Sequence, residues 1–221
     1  MLSSWGTMQK STSRPPTSEM PELVGGAFCL DFVNTVDPRH ADQRFDYLAG
    51  YGALVAWARY AGAIDAAAAR RMLHRAERHP AAAGEVLRRA IRLREALYRI
   101  LASAMKRRAP PQDAFDYLNR ELAWANATVR LTRGREGFAL QSDDRRPRLE
   151  QVLGPVIRSA VDVLVDGPLD RVRECPGLGN CGWLFVDLSK NASRRWCDMR
   201  TCGNRAKVHR YHARIRAKRG R

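Results

Sequence analysis

The sequence has few acidic residues and no long apolar run. It contains 23 Asp and Glu residues against 39 Lys and Arg residues, so its formal net charge is +16. No apolar stretch approaches the roughly 20 residues that a membrane-spanning helix needs, so we expect no membrane association. Residues 1–20 lack the apolar segment of a secretory signal and are expected to form a disordered tail. These absences predict a cytoplasmic protein with an acidic partner.

The composition indicates a folded chain. Hydrophobic residues make up 45% and charged residues 28% of 221 residues, which excludes a wholly disordered protein. A chain of this length buries a core without a disulfide framework. Its five cysteines are therefore interpreted as metal ligands or core residues. Cys29 lies in an apolar run, which favours a buried thiol over a nucleophile.

Charge and cysteines are concentrated at the C-terminal end. Residues 171–221 hold 14 of the basic residues, three acidic residues and four of the five cysteines. The sequence Asp166-Gly167-Pro168 interrupts an amphipathic run and marks a boundary. We therefore predict a tail at 1–20, a helical domain at 21–168 and a small cysteine-bearing domain at 169–221.

Apolar residues spaced three and four apart predict helices in the larger domain. The runs with this spacing are 47–64, 86–104, 115–122 and 149–164. Asp65 is placed to cap an alanine-rich helix that ends at His79-Pro80. Residues 28–33 fit a short strand or the start of a helix, and 129–132 with 137–141 fit a hairpin. The predicted fold class is mainly α with a small β-hairpin (α+β).

The four C-terminal cysteines are arranged as two pairs, C-x5-C and C-x4-C, separated by 15 residues. Two thiolate pairs on neighbouring turns bring four soft ligands to one point, as a tetrahedral zinc site requires. So small a unit needs such help to fold. Spacing alone leaves four buried or reactive thiols without metal as the alternative. The predicted ligands of Zn²⁺ are Cys175, Cys181, Cys197 and Cys202.

The last helix is predicted to begin after Gly203, and no acidic residue follows Asp198. Its narrow apolar row consists of Asn204, Val208, Tyr211 and Ile215. We expect this row to pack on Trp183 and Phe185, which would leave the face of Ala206, Ala213 and Ala217 outward between two rows of cations. Uncompensated charge of one sign favours a nucleic-acid partner over a merely solvated helix.

The stretch from Cys175 to Arg214 resembles the CGNR zinc finger. The Cys-Gly-Asn-Arg signature stands at Cys202–Arg205, and Cys181-Gly182-Trp183-Leu184-Phe185-Val186-Asp187 also matches. The preceding part, with Leu30-Asp31-Phe32-Val33-Asn34-Thr35 near its start, resembles the ABATE domain that usually precedes this finger. One departure is the first pair, C-x5-C where the family has C-x4-C. The additional residue falls in the loop 176–180, which is able to absorb it.

The resemblance implies a bacterial, stress-responsive transcription regulator whose DNA binding is inferred. It implies a treble-clef-like finger in which the four cysteines bind zinc and the first turn of the last helix presents Cys202. Arg205, with Arg194 or Arg195, would lie near the zinc–thiolate centre. Asp187 would close the turn after the strand, and Asn191 suits a left-handed turn position.

The main hypothesis is a DNA-binding transcription regulator, nucleoid-associated, whose N-terminal domain senses a small molecule or forms a homodimer. Phosphate contacts are expected from Lys190, Arg194, Arg195, Lys207, Arg210, Arg214 and Lys218. Candidates for base contacts are Arg205, His209, His212 and Arg216.

Two alternatives remain open. An RNA- or ribosome-associated zinc protein would use the same basic helix, with stacking aromatic residues in addition. An enzyme would use the polar cluster Asp31, Asn34, Thr35, Asp37 and His40, but no nucleophile and base are paired at a recognisable spacing, so we expect no enzyme. A milder form of this idea is a ligand pocket lined by Asp31, Asn34 and Thr35.

Overall fold

The computed structural model describes residues 20–134, 137–142 and 148–219, and the side chains of all of these except 139–142 and 218–219. The predicted disordered tail lies outside these residues apart from Met20. Among the residues described, none of the helices combines the length and the apolar character needed to cross a bilayer.

The N-terminal part is built from helices, as apolar spacing predicts. They are α1 (Phe28–Val33), α2 (Tyr51–Tyr60), α3 (Ala66–Arg78), α4 (Pro80–Met105), α5 (Gln112–Ala127) and α6 (Gly154–Val165). A 3₁₀ turn, Leu149–Leu153, leads into α6. Residues 28–33, for which strand and helix were both open, form a helix. The mainly helical fold class is confirmed.

Helix α4 lies at the centre of the core, against α1, α2, α3 and α5. It buries apolar residues on one face, among them Val86, Leu93 and Leu97. Trp57 of α2 is fully buried, and its ring lies 5.0 Å from that of Phe28. The predicted cap of α3 is confirmed, because the Asp65 side chain accepts a hydrogen bond from Ala68 N at 2.7 Å.

Three antiparallel strand pairs complete the described structure. The strands are β1 (Val36–Asp37) with β2 (Phe45–Asp46), β3 (Val129–Gly134) with β4 (Gly137–Ser142), and β5 (Val172–Glu174) with β6 (Leu184–Val186). The β3–β4 pair confirms the predicted hairpin, with Leu131 opposite Leu140. A final helix, α7 (Asn204–Arg219), follows the last cysteine.

The strand β6 joins the cysteine-bearing segment to the helical core. Leu184 and Val186 are buried among the core residues of the N-terminal helices. The Asn34 amide brackets the Leu184 backbone, donating to its carbonyl and accepting from its N–H, each at 2.8 Å. Val186 N also donates to Gly25 O at 2.8 Å. The boundary predicted at 166–168 therefore separates two segments that share one core.

Candidate metal centre and nucleic-acid interface

The four C-terminal cysteines meet at one buried point. Their sulfur atoms all lie within 4.8 Å of one another. Two of the separations are 3.8 Å (Cys181 to Cys197) and 3.6 Å (Cys197 to Cys202). A tetrahedral zinc with bonds of about 2.3 Å places its sulfur ligands about 3.8 Å apart. All four are unbridged, so the sulfur geometry fits Zn²⁺.

The first pair, Cys175 and Cys181, lies on a tight loop that follows β5. Cys175 N donates to Trp183 O at 2.8 Å, and Gly182 N donates to Cys175 O at 3.2 Å. The long C-x5-C spacing is accommodated by left-handed backbone, with φ of +83° at Gly179 and +62° at Asn180. The extra residue thus leaves both sulfurs directed at the same point.

Gly177 lies against the sulfurs. A Cβ atom at this position would stand 2.7 Å from the Cys202 sulfur and 2.9 Å from the Cys181 Cβ. No side chain fits there, so the loop backbone closes over the metal position. The glycine is thereby explained by close approach rather than by an unusual dihedral angle.

The second pair, Cys197 and Cys202, is connected by a single π-helical turn, Met199–Gly203, which contains Cys202. The Asp198 side chain caps this turn by accepting from Arg200 N and Thr201 N. Cys202 therefore lies in the turn before α7, and the expectation that the first turn of the helix presents it is corrected by one turn. The turn and the helix are continuous, so the metal position fixes where α7 begins.

The four thiols differ in their pKa values because they form hydrogen bonds with one another. Hydrogen bonding to Cys181 holds the pKa of Cys175 well below its usual range. The same contact with Cys175 raises the pKa of Cys181. Four sulfurs this close therefore do not all ionise on their own. A divalent cation removes that restriction, since zinc binds the thiolate form of all four ligands.

Asp187 and Arg194 organise the segment between the two pairs. The buried Asp187 carboxylate accepts from Ser189 N, Ser189 Oγ and Arg194 N, which closes the turn as predicted. The hydrogen bond from Ser189 lowers the pKa of Asp187. The left-handed position falls on Ala192, with φ of +48°, and not on Asn191.

The Arg194 guanidinium contacts backbone carbonyls and an aromatic ring within this segment. It donates to the carbonyls of Trp196 and Cys197 and lies 4.4 Å over the Phe185 ring. Arg194 thus positions the second cysteine pair, and its expected phosphate contact stays a prediction. Burial raises the pKa of Asp37, and the nearby charge of Arg205 partly offsets that effect.

Residues of the N-terminal domain support the cysteine loop directly. Arg39 N donates to Cys181 O at 2.8 Å, and His40 N donates to Asn180 O at 3.0 Å. Trp183 Nε1 donates to Val36 O at 2.9 Å. The segment that follows β1 is therefore part of the wall of the metal centre.

A cleft of about 260 Å³ lies beside this wall. His40 and Glu174 line it, hydrogen-bonded to each other, and Tyr98 donates to Glu174 at 2.9 Å. Reasoning from sequence missed Tyr98 and Glu174, which are 76 residues apart, because no local pattern links them.

The predicted pocket residues are placed in structural contacts. Asp31 accepts from Gly25 N at 2.7 Å, and Thr35 Oγ1 donates to Phe32 O at 2.7 Å. Asn34 is the residue that brackets Leu184. None of the three lines the cleft beside the cysteines. A ligand pocket formed by these residues stays a prediction.

Helix α7 extends away from the rest of the protein. Of the described side chains from 204 to 217, Ala206 alone is buried, at 7% exposure. Val208 is 45% and Tyr211 61% exposed. The expected packing of the apolar row on Trp183 and Phe185 is therefore wrong. The alanine face meets the protein at Ala206, and the apolar row faces solvent.

The remaining candidates for nucleic-acid contact lie at the surface. The exposed ones are Lys190, Arg195, Arg205, Lys207, His209, Arg210, His212, Arg214 and Arg216. The side chain of Lys218 lies outside the described part of the chain. The structure thus brings most of these cations together on and beside one projecting helix.

Two family models match the chain, in the predicted order. Residues 26–167 match ABATE, described as "Putative stress-induced transcription regulator". Residues 171–215 match the CGNR zinc finger. No curated protein matches the chain at a significant level.

Proposed function

The chain belongs to the ABATE family and carries a CGNR zinc finger, and from this premise we propose that it is a zinc-dependent, DNA-binding transcription regulator. Zinc is the expected resident metal, held by Cys175, Cys181, Cys197 and Cys202. Its role here is structural, because the four thiolates leave no open coordination position for catalysis.

One observation supports the proposal above the others: α7 projects from the protein with cations and no acidic residue along its length. Such a helix repels itself unless an anion neutralises it. The B-DNA major groove is about 12 Å wide and admits an α-helix, whereas the A-form RNA major groove is too narrow for side chains to read. A projecting basic helix therefore favours duplex DNA.

A specific observation keeps RNA as the second candidate. Tyr211 is exposed, and its ring lies 5.7 Å from that of His212 in an edge-on arrangement. Exposed aromatic rings of this kind stack on unpaired RNA bases. RNA is therefore included in the test of the main proposal.

For the N-terminal domain we propose a sensing or dimerising role. The dimerising role is supported by the β3–β4 hairpin, where Leu131 and Phe138 are 67% and 73% exposed. The strand register places both on one face. The oligomeric state of wild type and Phe138→Ser, measured by sedimentation, tests this role, and two monomeric proteins would contradict it.

The test of DNA binding uses the full-length, zinc-loaded chain. Binding to duplex DNA and to a structured RNA is measured by gel shift at two salt concentrations. We expect DNA to bind more tightly than RNA at both salt concentrations. We expect the double variant Lys207→Ala/Arg214→Ala to reduce the slope of the logarithm of affinity against the logarithm of salt concentration by the amount that about two phosphate contacts contribute. The charge-matched control, Lys106→Ala/Arg108→Ala, changes exposed residues of the other domain. Equal effects of the two variants, or tighter RNA binding, would contradict the proposal.

A further inference from the structure

The outward face of α7 is apolar. At about 100° per residue, Val208, Tyr211 and Ile215 lie opposite Ala206, the position that meets the protein. Val208 is 45% and Tyr211 61% exposed, whereas Ile215 is partly covered. This apolar row points away from its own protein, along a helix of 16 residues, and is free to contact a partner.

Cations flank this row on both sides. Lys207 and Arg214 lie along one flank, and His212 and Arg216 lie along the other. A second copy of the helix would bring four cationic rows together, which is repulsive. A bilayer surface would need a wider apolar face than a row one side chain across. A polyanion that presents apolar groups between two charged edges would complement both the apolar row and the cations that flank it.

The DNA major groove has that composition. Phosphates line its two edges, and thymine C5-methyl groups project from its floor. A helix seated in the groove turns one row of side chains to the base edges, while its flanking side chains reach the two backbones. The order across α7 is the same, cation, apolar side chain, cation.

We propose that Val208 and Tyr211 are the base-facing residues of α7 and that they contact thymine methyl groups in the major groove. This inference rests on the proposed DNA binding. It replaces His209, which lies toward the side of the helix that meets the protein, as a candidate for base contact. The chemical class recognised is thymine-containing duplex DNA.

The test compares two pools of duplexes, each with 20 random base pairs, synthesised with either thymidine or deoxyuridine triphosphate. Each pool carries its own constant flanking tag, because polymerases read uracil as thymine. The pools compete for the full-length, zinc-loaded protein, and sequencing of the tags counts the ratio recovered. Removing one contacted methyl group is expected to weaken binding about fourfold. We expect the wild type to favour the thymine pool by at least that factor.

The variants locate the effect. Tyr211→Ala and Val208→Ala are expected to bring the ratio of the pools toward one, with the salt slope unchanged. His209→Ala, the matched control on the same helix, is expected to keep the wild-type ratio. A thymine preference that survives both variants would overturn the inference while DNA binding stands. Failure of every protein to bind either pool would instead overturn the proposed function.

The rival occupants give their own results. Tyr211→Ala is also examined by sedimentation and by binding to vesicles of phosphatidylserine and phosphatidylcholine. Loss of a wild-type dimer would assign the row to a second copy, and loss of vesicle binding would assign it to a membrane. Either result, with pool ratios unaffected, would overturn the thymine contact.

Discussion

At the scale of single residues, Asp31 is the most unusual carboxyl of the N-terminal core. Its carboxylate accepts a hydrogen bond from Gly25 N at 2.7 Å and so holds the segment that leads into α1. Burial nevertheless raises its pKa to about 6, against the ordinary value of 3.8. The folded protein therefore holds the proton more tightly than the unfolded chain does. The stability gained from that proton is present below about pH 4 and is lost as the pH rises through 6.

We predict that Asp31→Asn removes this pH dependence. Between pH 4 and 6 the unfolding free energy of the wild type should fall relative to the variant, by at most about 3 kcal/mol. Urea unfolding of both proteins across this range measures the difference, and zinc loss at low pH affects both alike. A constant difference from pH 4 to pH 7 would show that Asp31 is not the titrating group.

The cysteines give a second prediction at this scale. Cys202→Ser should lower bound zinc from about one per chain to near zero, since three remaining thiolates hold the metal far less tightly. Cys29→Ala is the matched control, because Cys29 is buried elsewhere, where burial raises its pKa to about 12. Zinc is measured by atomic absorption on the purified chain. Equal zinc in the two variants would exclude Cys202 as a ligand.

Residue roles that depend on neighbours in the chain were predictable, and those that depend on distant ones were not. Asp65 and Asp187 bond within a few residues of themselves, so their capping follows from the sequence. Asn34 meets Leu184 across 150 positions, and nothing in the local pattern marks that contact. The sequence therefore predicts only a role for Asn34 in a ligand pocket, and its contact with Leu184 becomes visible only in the fold.

At the scale of elements, one buried arginine ties the β1–β2 ribbon to α4. Arg94 of α4 donates to both carboxylate oxygens of Asp46, at 2.7 and 2.8 Å, and to Thr35. Its side chain is almost completely buried. The ribbon carries Arg39 and His40 to the cysteine loop, so this pair also holds the wall of the metal centre in place.

We predict that Arg94→Met destabilises the protein by about 2–3 kcal/mol, because Asp46, whose side chain is 37% exposed, loses two hydrogen bonds from a charged partner while water still solvates part of its carboxylate. Arg99→Met, on the same helix, is the control. It breaks the solvent-exposed pair with Asp113 and should change stability little. Urea midpoints of the two variants test this, and similar midpoints would mean that the buried pair does not hold the ribbon.

The orientation of α7 shows where pattern reasoning fails for an element. An apolar row predicts burial only when the fold provides a surface for it. Helical spacing predicts which residues of α7 share a face, but Trp183 and Phe185 are already covered by Val24, Tyr47 and the cysteines. With that core closed, the row was left facing solvent.

At the scale of the whole molecule, the finger is not an appendage. Leu184, Val186 and Val172 complete the core of the N-terminal helices, and Tyr47 packs with the cysteines. The hydrophobic core of the described residues crosses the boundary predicted at 166–168. Charge and cysteine content could not predict that the parts on its two sides fold on one another.

Metal removal should therefore affect the entire chain. We predict that chelation lowers the thermal midpoint of full-length protein by roughly 10 °C or more, and that helical circular dichroism and tryptophan fluorescence follow one shared transition. Cys29→Ala, loaded with zinc, should respond as the wild type does. A helical transition that chelation leaves unmoved would show that the N-terminal domain folds without the finger.

The hydrogen bonds between Asn34 and Leu184 also determine when the core can close during translation. Helix α1 leaves the ribosome long before β6 is translated, because 150 positions separate the two partners. Until then the groove that receives β6 stays open, with the Asn34 amide and the neighbouring apolar side chains uncovered. Nascent chains that stop short of the finger would be expected to need a chaperone or to be degraded. Only a chain translated through β6 has the strand that closes its own core.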